Sequence, residues 1–227
     1  MDSKPRILLI GPPGAGKTVI ATKLSEILSI PFIKVGALLR DLSQSDENYQ
    51  LIRDAMVKGE LAPNNLVAEV VRKAVDEKMN GYIIDGWLRQ LSDMNEYNPD
   101  LDYVIFLDCP KEICKDRILN RVVCKIDNTI YSFSDTVCDL CGGELEKRTD
   151  DTDETFENRW NVFTEKTLPV LNYFEEKKKL IKVDASRSIP EIVDQINKSL
   201  WLLIKLQKKY KLWRSGARFQ PMPFRLL

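Results

Sequence analysis

Eight residues near the start of the chain, Gly11-Pro-Pro-Gly-Ala-Gly16-Lys17-Thr18, fit the pattern G-x-x-x-x-G-K-[ST] at every fixed position. The spacing has a chemical purpose. Glycines let successive backbone N–H groups turn inward toward phosphate oxygens, and the helix that follows adds its positive dipole end. Lys17 reaches β- and γ-phosphate oxygens, and Thr18 is placed to ligand Mg²⁺. The octapeptide therefore predicts a site for a nucleoside triphosphate. By itself it does not choose among hydrolysis, switching and transfer, because all three use it. The bland alternative is a Gly-rich turn that only joins a strand to a helix. The flanking pattern argues against it: Arg6–Ile10 is a short apolar run, and Lys17–Ser29 carries Ile20, Leu24, Ile27 and Leu28 at helical spacing.

Holding such a loop in place takes a scaffold, and the rest of the chain reads as one. Pro31–Lys34 looks like a second short strand. Residues 36–78 have a helical pattern, broken near Asp46 and at Pro63. Tyr82–Ile84 is a buried strand ending at Asp85, and Tyr103–Leu107 is another ending at Asp108. Pro110 then opens a helix toward Arg121. Leu180–Val183 is a last strand, ending at Asp184. Strands alternating with helices predict an α/β fold with a doubly wound parallel sheet. Two stretches break the rhythm. Val122–Thr155 is polar and rich in Cys, Asp and Gly, and reads as an inserted lobe. Trp201–Leu227 holds seven Lys/Arg and no acid, interleaved with aromatics.

Bulk composition narrows the classes. The 227 residues suffice for one sizeable core with small inserted lobes. Lys+Arg and Asp+Glu balance at 34 each, so overall charge does not mark a polyanion binder. The chain has no histidine, which excludes His-based catalysis and His metal ligands. Five cysteines, three of them in one short segment, argue for reduced thiols or a metal site rather than a disulfide framework. Cys109 and Cys114 stand apart from that segment and read as small hydrophobes in or near the core. No signal-peptide pattern and no spanning apolar stretch is found, so a cytoplasmic location is expected.

Further landmarks recur in a fixed order: Gly36-Ala-Leu-Leu-Arg40, Gly59-Glu-Leu-Ala-Pro63, Asp85-Gly-Trp-Leu-Arg89, Asp116-Arg117-Ile-Leu-Asn-Arg121, Cys138-Asp-Leu-Cys141-Gly-Gly, and Arg148-Thr-Asp-Asp151 through Arg159. With the phosphate loop, they make the chain resemble the adenylate kinase / nucleoside monophosphate kinase family over most of residues 5–200, in its long form with a zinc-type lid. The resemblance implies a P-loop NTPase-type doubly wound parallel sheet flanked by helices. Residues 1–200 would form the kinase domain, with an NMP-binding segment at 35–64, a lid at 122–158 and an extension at 201–227. Both inserted segments would close over the phosphates and exclude water. It implies Mg²⁺-dependent transfer of the ATP γ-phosphate to a nucleoside monophosphate, AMP by default, in a monomer.

Roles carry over by position. Lys17, Arg89, Arg121, Arg148 and Arg159 match the catalytic set that spreads the charge of the moving phosphoryl group. Pro13, Gly14, Ala15, Gly16, Lys17 and Thr18, with Arg117, Arg121, Ile130, Tyr131 and Arg187, match the ATP side. Arg117 corresponds to the residue that stacks on the donor base. Val35, Gly36, Arg40, Glu60, Ala62, Gly86, Arg89, Asp93, Arg148 and Arg159 match the acceptor side. Thr18 and Asp85 match the Mg²⁺ positions, and Asp150 and Asp151 match carboxylates that orient the lid arginines.

The chain also departs from the family. Val35 stands where a hydroxyl usually contacts the acceptor base, and Asp93 stands where Gln usually reads adenine. An ionised carboxylate only accepts, which suits a base edge with two donors, such as guanine. Gln90 is the alternative adenine reader. Leu88 replaces a family proline just before Arg89. In the lid, Cys124, Asp127, Cys138 and Cys141 match a structural zinc site in which Asp127 replaces a cysteine. A lid held by hydrogen bonds with free thiols is the alternative. The basic tail reads either as a segment packed on its own domain or as a dock for a protein, an RNA or a membrane surface. A nucleotide-binding assembly protein on a kinase frame is the reading from a different class.

Overall fold

The structure, a computed structural model, describes residues 4–42, 48–76, 80–127, 129–132 and 136–214. The expected break near Asp46 and residues 215–227 of the tail lie outside these residues.

Five short strands make one parallel sheet: β1 (Arg6–Ile10), β2 (Phe32–Lys34), β3 (Tyr82–Asp85), β4 (Tyr103–Asp108) and β8 (Leu180–Asp184), in the order β2-β3-β1-β4-β8. Their apolar runs are nearly continuous because both faces are covered. Ile7 and Leu9 of β1 enter one buried cluster, and Leu8 and Ile10 enter the other, as the two-residue strand period requires. The first cluster is covered by α1 (Lys17–Leu28), α6 (Lys111–Leu119) and α9 (Ile189–Arg214), through Ile20, Leu24, Cys114, Ile118, Ile192 and Ile196. The second is covered by α2 (Val35–Arg40), α4 (Asn64–Asp76) and α8 (Leu168–Glu176), through Val35, Leu39, Val71, Val170 and Phe174.

The chain runs from β1 to β2, returns through β3, and then crosses β1 to reach β4 and β8. The order reverses around β1, and ligands in open α/β sheets sit outside the carboxyl ends of strands at such a point. The loop Gly11–Gly16 leaves β1 there, and Asp85 ends the neighbouring strand, level with Leu9 and Lys34.

Two segments stand off the sheet. One carries α3 (Tyr49–Lys58) between α2 and α4. The other is a small antiparallel sheet, β6 (Ile130–Ser132), β5 (Arg121–Cys124) and β7 (Leu145–Glu146), in the order β6-β5-β7. This sheet begins at Arg121, one residue before the expected lobe. The lobe's last residues already belong to α7 (Asp153–Val162), which Thr152 caps by accepting a hydrogen bond from the Thr155 N–H. A π-helical turn, Phe163–Thr167, joins α7 to α8. The boundary expected at residue 200 falls inside α9, whose backbone continues to Arg214. Trp201 and Leu202 are exposed, whereas Leu203 and Ile204 pack on the core. Among the described residues no helix is long and apolar enough to cross a membrane.

Candidate active site

The phosphate loop follows from two glycines. Gly14 has φ 86°, and a Cβ there would lie 2.2 Å from the Cys114 carbonyl oxygen, so only glycine fits against α6. Gly16, at φ 85°, precedes the first turn of α1 and leaves that turn's N–H groups facing the cleft. Lys17 Nζ donates to the carbonyls of Gly11 and Pro12, each at 2.8 Å. Burial pulls its pKa down from 10.5 to about 8; Asp85 opposes the shift, and Arg89 and Arg121 add to it.

The loop forms the floor of a cleft of about 670 Å³. Its wall includes Pro13 to Thr18, Arg117, Arg121, Ile130, Tyr131 and Arg187 on one side. Gly36, Arg40, Glu60, Ala62, Gly86, Arg89 and Asp93 line the other, and Asp85, Arg148 and Arg159 border the same space. Arg117 Nη1 donates to the Ala185 carbonyl at 2.9 Å, which fixes that guanidinium beside the end of β8.

Cations crowd this cleft. Burial lowers the pKa of Lys34, Arg40 and Arg89, and for Lys34 and Arg40 the next cause is a neighbouring arginine. Lys34 was not evident as a site residue from its type. Its place at the end of a short apolar strand, level with Asp85, was the available signal.

Three of the arginines are held by two carboxylates. Arg121 donates from Nε and Nη2 to the two oxygens of Asp151 at 2.6 and 2.8 Å. Arg148 makes the same fork with Asp150, at 2.9 and 2.6 Å. Arg159 Nη2 adds a contact to Asp150 at 2.5 Å. Burial alone would raise the Asp150 carboxyl, but hydrogen bonds and charge from Arg148 and Arg159 outweigh it and hold it below the usual range. Asp151 is almost wholly buried under Arg121.

Two positions differ from expectation. Val35 does not line the cleft: it is 1% exposed and packs in the core, close to Gly86, because an apolar side chain at the start of α2 is drawn under the floor. Asp93 borders the cleft, but its Oδ2 accepts the backbone N–H groups of Arg89 at 2.8 Å and Gln90 at 3.2 Å. A carboxylate occupied by its own loop is not the open two-acceptor edge expected for reading guanine.

In the small sheet, Cys124, Asp127, Cys138 and Cys141 place one donor atom each within 4.8 Å of all the others. Cys124 Sγ and Cys141 Sγ are 3.4 Å apart, and Cys138 Sγ lies 3.3 Å from Asp127 Oδ2. A Cβ on Gly143 would approach Cys124 Sγ to 2.9 Å, so glycine lets the second knuckle fold over the first. Thiolate and carboxylate donors in one tetrahedron-sized cluster fit Zn²⁺. Cys109, just before α6, and Cys114, on its inner face, are buried and contribute to the core.

Comparison with known proteins supplies the family. A family model described as adenylate kinase matches residues 9–179. A protein named adenylate kinase from Thermotoga petrophila is 34% identical over 209 residues, covering 85% of this chain and 95% of that protein. One from Methanosarcina mazei is 33% identical over 205 residues, covering 84% and 95%. One from Thermosipho melanesiensis is 31% identical over 206 residues, covering 84% and 96%.

Proposed function

The chain belongs to the adenylate kinase family and is a nucleotide phosphotransferase, and from that premise we propose that it transfers the γ-phosphate of ATP to AMP with Mg²⁺. The observation that carries this reading is the convergence of Lys17, Arg40, Arg89, Arg121, Arg148 and Arg159 on one cleft above the phosphate loop. Binding a nucleotide alone does not need so many cations around one phosphate chain. Phosphoryl transfer does, because its transition state spreads charge over oxygens that must be held in line.

In this reading Gly14 to Thr18 bind the donor phosphates through backbone N–H groups. Lys17 is drawn fully into its charged form by the phosphates. Arg117 and Arg187 flank the donor base and ribose, with Ile130 and Tyr131 covering them. Arg40 and Arg89 grip the acceptor phosphate, while Gly36, Glu60, Ala62 and Gly86 shape the pocket around its nucleoside. Arg121, Arg148 and Arg159 neutralise the phosphoryl group between donor and acceptor. Thr18 and Asp85 offer a hydroxyl and a carboxylate, the hard oxygen donors that Mg²⁺ takes. When bound, the ion neutralises phosphate charge and fixes the donor's geometry. The segments 35–64 and 122–158 act as the two closing flaps of the domain spanning 1–200. Zn²⁺ held by Cys124, Asp127, Cys138 and Cys141 is structural, because all four positions are protein ligands and none is left for water.

AMP is preferred over GMP as acceptor because Asp93 is engaged by its own loop. Gln90 lines the cleft, and its side chain hydrogen-bonds Asp93. That contact leaves the Gln90 amide one free N–H and its carbonyl oxygen, the donor and acceptor that adenine's edge requires. Steady-state rates with AMP, GMP, CMP and UMP test this. A preference for AMP that falls selectively in Gln90→Leu is expected, and equal or faster turnover of GMP would count against it.

A further inference from the structure

Arg89 sits in an unusual backbone. Leu88, immediately before it, is fully buried and adopts φ 52°, a left-handed conformation that is costly for a residue with a Cβ. Such a conformation persists only where the surroundings fix it, and here they do. Trp87 is buried, and its Nε1 donates to the Tyr97 carbonyl at 3.1 Å. Behind Leu88, the Arg89 N–H donates to Asp93 Oδ2 at 2.8 Å. The Arg89 carbonyl accepts from the Thr167 hydroxyl, also at 2.8 Å. Asp93 is 4% exposed and Thr167 is 5% exposed. The peptide groups on either side of the Arg89 Cα are therefore held by two buried side chains, one local and one from 78 residues away.

Thr167 closes the π-helical turn Phe163–Thr167. Such turns insert an extra residue into a helix and often mark functional sites, because they redirect one side chain without breaking the helix. Here the redirected side chain belongs to the helical segment that also carries Arg159. Among the described residues, no carboxylate forms an ion pair with the Arg89 guanidinium; Asp85 and Asp93 act on it only through charge, so the direct holds on Arg89 are on its backbone.

We propose that Asp93 and Thr167 are positioning residues for Arg89: together they clamp the strained Leu88–Arg89–Gln90 turn and aim the guanidinium into the cleft. The proposal rests on the reading of Arg89 as a phosphate ligand. It assigns Asp93 a role in every turnover, in addition to its contact with Gln90.

The test uses Thr167→Val, Thr167→Ser and Asp93→Asn in the full chain, with AMP, GMP, CMP and UMP. A 1 Å misplacement of a reacting group can cost about 100-fold, so Thr167→Val is expected to lose roughly 10- to 100-fold in kcat/KM for the acceptor. The loss should be the same factor for every monophosphate the wild type accepts, with KM for ATP unchanged. Thr167→Ser, which keeps the hydroxyl, should restore activity. In an Arg89→Ala background, adding Thr167→Val should cause no further loss. Full activity in Thr167→Val, additive losses in the double variant, or a changed AMP/GMP preference in Thr167→Val would overturn the proposal. Should Thr167→Val fail to fold, Asp93→Asn carries the same comparison. Hydrogen exchange of the Arg89 amide reads the clamp without turnover: faster exchange in Asp93→Asn is expected, and unchanged protection contradicts it. A wild type that makes no nucleoside diphosphate would sink the functional reading alone, and the exchange measurement would still decide the clamp.

Discussion

The arginines of the cleft fall into two groups that solve the same problem differently. Arg121, Arg148 and Arg159 are aimed by charge: Asp150 and Asp151 hold all three in short, largely forked contacts. Arg40 and Arg89 have no carboxylate partner among the described residues, and Arg89 is aimed through its backbone by Asp93 and Thr167. The difference has a cost on each side. Paired arginines are pre-set but partly neutralised, so a phosphate must compete with Asp150 and Asp151. Unpaired arginines keep their full attraction for phosphate, and burial, with neighbouring arginines adding to it, lowers their pKa.

The sharpest way to break the comparison is to remove one arginine from each group. Arg89→Ala is expected to lower turnover by about 10²- to 10³-fold with a smaller loss of stability, because buried Asp85 and Asp93 feel its charge but neither forms an ion pair with it. Arg121→Ala should lower turnover and also destabilise by about 3 kcal/mol, because it removes both short hydrogen bonds to buried Asp151 and leaves it only a 3.8 Å contact with Arg159. Coupled turnover assays and urea unfolding of both variants check this, and equal stability would erase the distinction.

Proton linkage gives two smaller effects. The Asp150 carboxyl lies below its ordinary 3.8 in the folded chain, so its contribution is complete above that pH and is lost as pH falls toward the depressed value. Unfolding followed between pH 6 and pH 3 should therefore show a steeper acid loss in the wild type than in Asp150→Asn. Lys17 is the opposite case: lowered to about 8, it must regain its proton when phosphates bind. ATP affinity should fall above pH 8 by up to about tenfold per pH unit, with proton uptake measurable by calorimetry in buffers of different ionisation enthalpy. The smallest effect on the central fold is expected from metal removal. Chelation should loosen the β6-β5-β7 sheet, seen as faster amide exchange there, while the five-stranded sheet stays protected.

Much of this was legible in the chain because the signals are local. A phosphate loop between an apolar strand and a helix is written in consecutive residues, whereas Asp150 and Asp151 were placed beside the lid arginines by resemblance and their individual pairings came from the structure. Strand ends could be read from single acids after apolar runs, and Asp85, Asp108 and Asp184 all fall there. The cysteine cluster could be read from its knuckle spacing, Asp127 included. What could not be read depends on contacts between distant segments or on backbone geometry. Thr167 meets Arg89 from the end of a π-helical turn 78 residues away, and no local pattern marks such a turn. Asp93 and Val35 were placed by analogy at the base-reading positions. Burial decided otherwise, sending one carboxylate to its own backbone and one apolar side chain under the floor. The helix running past residue 200 was hidden for a related reason: the change to basic composition is a property of side chains, and the backbone continues through it.

The central claim is that the cleft passes a phosphoryl group between nucleotides rather than to water. ³¹P NMR of the protein with ATP, AMP and Mg²⁺ tests it directly. Two equivalents of ADP should appear for each ATP and AMP consumed, with no inorganic phosphate. Release of inorganic phosphate with AMP left intact would contradict the account.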